Sequence, residues 1–233
     1  MAEQIVVSGG ASFWWGPEGL DLDRRVLALT GRDRPRVCYL ATASGDAEGF
    51  IRPFYETLEP WCEPSHLPLF LPPYRLPEEA LADQDLIYVG GGSTANLLAV
   101  WRRHGIDRLL RAALERGTIL YGSSAGGLCW FASGVTDSLG FDGELHPLTD
   151  GLGFLAGSHC PHYDHEGRPE AYAAMVGDGR LPDGLAVDDL AAVHHVDGRI
   201  RETFAAAAGS TAHRVARAPG GGVTITPLPA TPI

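Results

Sequence analysis

Cysteine is scarce, with four residues in a chain of 233, and no two of them form a C-x-x-C pair. Cys38, Cys62, Cys129 and Cys160 are widely separated, which offers neither a zinc ribbon nor a disulfide framework and predicts reduced, buried thiols. No apolar run approaches the roughly 20 residues needed to cross a bilayer. The opening stretch from Met1 to Val7 lacks a basic n-region and is too short in apolar residues for a signal peptide, so the cytoplasm is the expected location. Positive charge is in short supply: 18 basic residues face 29 acidic ones, a net charge of −11. Nucleic acid and anionic membranes both require a basic face, and neither is an expected partner. Internal repeats, heptads and low-complexity tracts are missing as well.

What is present suits one soluble α/β domain spanning residues 1–233, with 45% hydrophobic and 20% charged residues. Short apolar, β-branched runs at Gln4–Val7, Arg36–Thr42, Asp85–Val89 and Thr118–Tyr121 read as strands. Amphipathic stretches at Leu22–Thr30, Ala47–Leu58, Thr94–His104 and Asp107–Arg116 read as the helices between them. Such alternation predicts a mostly parallel sheet with helices on both faces, because parallel neighbours need a crossover. Ligands of such sheets bind at the carboxyl ends of the strands. The proline-rich segment Glu59–Pro77 is expected to wrap the surface, with a short strand at His66–Leu71. Beyond Gly151 the alternation weakens. There Leu185–Val187, Ala191–His195, His213–Ala216 and Val223–Thr226 predict an antiparallel edge or hairpins.

The segment Thr118–Phe131 carries the most chemical information. A strand, Thr-Ile-Leu-Tyr, passes into Gly122-Ser123-Ser124-Ala125-Gly126-Gly127 and then into an apolar helical stretch. Glycines on both sides of Ser124 permit a strained turn that lifts the hydroxyl above the sheet, and a helix start beneath it favours a developing oxyanion. A second glycine turn, Gly90-Gly91-Gly92-Ser93-Thr94, also follows a strand and opens a helix, which Ser93 can cap. It lacks the spacing of a dinucleotide loop and the lysine of a P-loop. The amides of Gly92 and Ala125 would instead supply the two oxyanion donors of acyl transfer, each typically worth about 3 kcal/mol.

A serine nucleophile needs a base, and His162, in the proline-fixed turn Pro161-His162-Tyr163-Asp164 after a strand-like run, is the expected one, at an edge of the same sheet. Its orientation calls for a carboxylate, for which Asp137 and the pair Asp188-Asp189 remain candidates.

Taken together, the segments Asp85–Asn96, Gly122–Asp137 and Cys160–Asp164 resemble the peptidase E family, with its GGG-(N/S)-T turn, G-x-SAG elbow and P-H-(F/Y) histidine. The resemblance extends over nearly the whole chain, including Ile5-Val6-Val7-Ser8-Gly9-Gly10. It implies a fold related to class I glutamine amidotransferases, a serine peptidase without metal or other cofactor, and cleavage of dipeptides with an N-terminal aspartate. It matches Ser124 to the nucleophile, His162 to the base, Gly92 and Ala125 to the oxyanion donors, and Asp189 to the acid, with Asp137 as the alternative. Arg168 matches the arginine that binds the substrate carboxylate. Ser93, assigned to the substrate side, stands where asparagine is common, and aspartate stands where the acid is usually glutamate. Family analogy also implies a homodimer.

Three other readings compete. His159-x-x-His162-x-Asp164-His165 concentrates four possible metal ligands in seven residues, although metal sites more often use i, i+4 spacing or separate strands. An amidotransferase-like domain without catalysis could bind a small acidic metabolite. An esterase of the α/β-hydrolase type expects the order serine, acid, histidine, which would select Asp137; the order serine, histidine, acid selects Asp189.

Overall fold

The computed structural model describes residues 1–72, 74–140 and 143–233. Five parallel strands form its first half: β1 (Gln4–Ser8), β2 (Arg36–Leu40), β3 (Glu63–His66), β4 (Leu86–Val89) and β5 (Ile119–Ser123). Helices α1 (Pro17–Ala28), α2 (Glu48–Leu58), α3 (Pro77–Leu81), α4 (Thr94–His104) and α5 (Ile106–Arg116) connect them. Successive strand residues point to opposite faces, and here both faces are buried. Val7, Leu40, Ile87 and Leu120 join a core with α4 and α5 residues Leu97, Trp101 and Leu110, whereas Val6, Tyr39, Tyr88 and Tyr121 join one with Leu22, Val26 and Phe54 of α1 and α2. Phe13 and Trp14, after the first glycine turn, belong to this second cluster, and Trp15 is exposed.

The second half departs from the single-sheet expectation. After α6 (Ala125–Leu128) come β6 (Phe131–Thr136), β7 (His146–Leu148), β8 (Leu155–Cys160), α7 (Arg168–Gly177), β9 (Gly184–Val187), β10 (Ala191–Val196), β11 (Arg199–Ala205), β12 (Ala212–Arg217), β13 (Val223–Leu228) and β14 (Thr231–Pro232). The first sheet has the order β14-β11-β10-β1-β5-β4-β2-β3, and a second, six-stranded sheet runs β13-β12-β9-β8-β6-β7. Strands β10 and β11 supply the expected antiparallel edge on β1. The Leu185–Val187 run instead pairs parallel with β8 in the second sheet, and β12 and β13 form its hairpin. Glycine, serine and histidine within β6 (FASGVT) and β8 (LAGSHC) dilute the apolar signal that marks a strand in sequence.

Local corrections have equally local causes. The strand expected at His66–Leu71 lies earlier, at Glu63–His66, because the buried Asp46 carboxylate captures the amides of Leu69 and Phe70 and Pro68 has none to give. Within the same proline-rich segment Pro73 lies outside the described residues. The helical stretch expected after Ser124 is one turn, as two consecutive glycines are poor helix formers and Phe131 already pairs with β8.

One buried acid sets a pH dependence of stability. Asp23 of α1 is 2% exposed and accepts the Phe13 amide at 2.7 Å and the Ser12 hydroxyl at 3.4 Å, while Ser12 also meets the Tyr88 hydroxyl. Burial raises its pKa from 3.8 to about 7, against the lowering effect of its hydrogen bonds with Tyr121, Phe13, Tyr88 and Ser12. The folded chain therefore favours the protonated acid. Its stabilising contribution is complete below about pH 4 and is lost as the pH rises through about 7. Thermal melts between pH 5 and pH 8 are expected to show wild type losing on the order of a few kcal/mol more than Asp23→Asn, which does not ionise. Parallel pH profiles for the two proteins would rule this out.

Candidate active site

The carboxyl ends of β4 and β5 from the first sheet and of β6 and β8 from the second converge on one cleft of about 180 Å³. Gly92, Thr94, Ser124, Ala125, Thr136, Asp137, Pro161, His162 and Arg168 are among its lining residues. Larger hollows lie elsewhere, among them one of about 550 Å³ around Arg24 and Trp61 and one of about 580 Å³ around Arg36 and Gly117, the second at the amino ends of the strands.

Ser124 sits at the end of β5 with φ 54° and ψ −118°, a backbone conformation that costs a residue with a Cβ on the order of 1–3 kcal/mol. Packing holds it there. Its amide donates to the Ser8 carbonyl at 3.2 Å, and a side chain at Gly122 would collide with the Gly126 carbonyl, as one at Gly126 would with that of Val89. Ala125, the first residue of α6, has an amide without an intrahelical acceptor. Across the cleft Gly92 has φ 134°, and a Cβ there would meet the Ala43 carbonyl. The one-turn α6 carries little macrodipole, so electrostatic help at this point rests on individual N–H groups.

The histidine arrives from the other sheet, not from an edge of the first. β8 ends at Cys160, and Pro161 turns the chain so that His162, at φ 52°, places Nε2 2.7 Å from Ser124 Oγ. His162 Nδ1 lies 2.6 Å from Asp189 Oδ1. The loop after β9 carries Asp189 and is pinned by backbone bonds from Tyr163 to Val187 and from Leu190 to Gly10. Burial raises the Asp189 pKa, but hydrogen bonds and charge from His162 and then His165 outweigh it and hold the carboxyl below its ordinary value. Among the candidate acids, Asp189 is the one in contact with His162, which gives the chain order serine, histidine, acid. Asp188 turns away to accept the Thr211 amide at 2.9 Å.

Asp137 lies at the cleft rim, where its Oδ2 accepts from Arg168 at 3.0 Å. The Arg168 side chain is only 12% exposed, against 53% for Asp137, and it also reaches the Pro161 carbonyl at 3.4 Å. This arginine opens helix α7, because the proline after it suits a first helical turn. Ser93 is not brought into the cleft: its hydroxyl caps α4 by accepting the Asn96 amide at 3.2 Å, and Thr94 lines the wall in its place. The four-ligand cluster disperses too. His159 is fully buried with Nδ1 on the Leu185 carbonyl at 3.0 Å, and Asp164 accepts the Asp189 amide, leaving His162, His165 and Asp189 together. The sequence contains no lysine, and His162 brings an imidazole to the wall of the cleft.

The model for Peptidase family S51 matches residues 5–203. The chain belongs to this family. It is 44% identical over 219 residues to the uncharacterised peptidase YgaJ of Bacillus subtilis (strain 168), an alignment covering 91% of this chain and 92% of YgaJ. Among solved structures, it resembles a peptidase from an acI-B1 Actinobacterium with a TM-score of 0.72 at 17% identity, covering 99% of this chain and 95% of the other. A peptidase E candidate from Listeria monocytogenes EGD-e superposes with a TM-score of 0.62 at 17% identity, covering 88% and 99%. These two likenesses concern the fold. Family S51 membership makes the chain a serine peptidase. No helix among the described residues is long and apolar enough to cross a membrane.

Several residues around the S51 cleft escape sequence reasoning. Gly10 is one, since a Cβ there would collide with both the Asp189 carboxylate and the His162 ring. Ser8 contributes through its carbonyl, and Asp164 and His165 through contacts to Asp189. The run Ser8-Gly9-Gly10 was the available signal, as paired glycines after a strand mark a close approach of backbone to other groups.

Proposed function

We propose that Ser124, His162 and Asp189 form the catalytic triad of a dipeptidase that cleaves short peptides with an N-terminal aspartate. The observation carrying this reading is the continuous chain of contacts from Ser124 Oγ to His162 Nε2 at 2.7 Å and from His162 Nδ1 to Asp189 Oδ1 at 2.6 Å. Because Asp189 stays ionised, it accepts a hydrogen bond from the Nδ1–H of His162, which keeps its proton there and leaves Nε2 free to take the serine proton. Ser124 Oγ then attacks the scissile carbonyl, and the amides of Gly92 and Ala125 receive the developing oxyanion. His162 returns its proton to the departing amine, and water, deprotonated by the same imidazole, hydrolyses the acyl-enzyme. No step needs a metal.

The small cleft suits one side chain and a short backbone, whereas drug-sized ligands usually occupy about 300 Å³ or more. Arg168 is the cation on its wall, and a guanidinium pairs bidentately with a carboxylate. In a chain of net charge −11 that placement favours an acidic substrate residue, whose carboxylate would exchange for that of Asp137. The exposed Asp137 is lost to the pair at little cost.

Arg168→Met retains most of the stem and removes the paired donors. Leaving a desolvated carboxylate unpaired typically costs roughly 2 to 5 kcal/mol, so kcat/KM for Asp-Leu is expected to fall at least about tenfold while Ala-Leu is nearly unaffected. Steady-state assays of both dipeptides decide the matter. Equal losses on the two would make Arg168 structural, and a wild type without preference for Asp-Leu would overturn the specificity.

A further inference from the structure

We propose that His165 is a positioning residue that fixes the Asp189 carboxylate, so that one acid is held by two imidazoles. The role rests on the serine hydrolase reading of the cleft. His165 Nε2 lies 2.9 Å from Asp189 Oδ2, the oxygen that His162 does not use. Its ring is half exposed, lines no part of the cleft, and meets the His162 ring at a centroid distance of 4.9 Å and an angle of 39°.

The turn after β8 produces this pairing. His162 takes φ 52°, the His165 amide closes back on the His162 carbonyl at 3.0 Å, and the Arg168 amide bonds to the His165 carbonyl at 3.2 Å as α7 begins. Both rings thereby leave the same short segment on the same side. Asp164, between them in sequence, accepts the Asp189 backbone amide at 2.9 Å. Three residues of one turn thus hold the acid by its main chain and by each of its oxygens.

An ionised carboxylate can only accept, so the atoms facing it must both be N–H donors. For His162 this fixes the proton on Nδ1. For His165 it fixes a proton on Nε2, whether or not the ring is charged. A carboxylate held at a single oxygen is free to turn about its last bond and to exchange His162 for water. The second imidazole removes that freedom, and through Asp189 it keeps His162 Nε2 aimed at Ser124, where small misplacements cost large factors in rate.

The test measures phosphonylation of the full-length chain by a neutral fluorophosphonate probe, which reads the serine and its base without needing the natural substrate. His165→Leu removes the donor at a half-exposed position, its thermal melt serving as the check on folding, and His165→Gln restores an N–H at the place of Nε2. The maximal labelling rate of His165→Leu is expected to fall at least about tenfold with the half-saturating probe concentration unchanged, and His165→Gln to return within about threefold of wild type. A wild-type rate for His165→Leu, a glutamine variant as slow as the leucine variant, or a loss confined to the half-saturating concentration would each overturn the role. Wild type that is not labelled, or Ser124→Ala labelled as fast, would overturn the hydrolase reading and this role with it.

Discussion

Ser124→Ala is expected to lose peptidase activity by roughly a millionfold in kcat, the scale at which removing a serine nucleophile disables a triad. The hydroxyl's hydrogen bond is to His162, and the strained turn around residue 124 is held by backbone bonds and by glycines that admit no side chain. The fold should therefore survive, with a melting temperature close to that of wild type. Glycine at the same position should raise stability above alanine, since it carries no Cβ to strain at φ 54°. Rates on Asp-Leu with wild type and both variants, together with their thermal melts, give the comparison. Retention of more than about one tenth of the rate in Ser124→Ala would remove Ser124 from the mechanism, because a covalent route through its hydroxyl would then carry little of the turnover.

Asp189→Asn carries the second large effect, up to about four orders of magnitude in kcat. The carboxylate accepts from His162 on one oxygen and from His165 on the other, and a carboxamide offers only one acceptor. If its nitrogen turns toward His162, the imidazole must reverse its tautomer and Nε2 can no longer accept the serine proton. If it turns toward His165, that contact reverses or breaks. Asp137→Asn is expected to affect turnover far less, since Asp137 touches Arg168 at the rim and not the base. Parallel kcat measurements on the two variants test the assignment, and a larger loss from Asp137→Asn would transfer the acid's role to that residue.

The legible parts of the fold were those where burial on both faces gives a strand a continuous apolar run, with polar residues or glycine confined to its ends. β1, β2, β4 and β5 are of that kind, and glycine turns follow β4 and β5 where the cleft later appears. The second sheet was not legible. Its strands β6 and β8 carry the glycine, serine and histidine that pack closely against neighbours, and a helix start at Arg168 was hidden by the glycine and proline that flank it. Ser93 shows the same limit at the level of one side chain: its cap was readable, but whether its hydroxyl also faced a ligand depended on the turn of the chain at Gly92.

By itself the sequence determined the parallel α/β framework, the serine on its glycine elbow and the histidine after its proline, because each depends on local backbone preferences that neighbouring residues encode. The residue pattern left open which carboxylate meets that histidine; the family resemblance pointed to Asp189, and the tertiary structure brings Asp189 into contact with it. Asp137, Asp188 and Asp189 are chemically alike, and they were separated when β9 paired with β8, pointing Asp189 at His162, Asp188 at Thr211, and leaving Asp137 with Arg168. The second imidazole on Asp189 arose in the same way, since contacts between residues 24 positions apart are fixed by strand pairing and not by the residues between them.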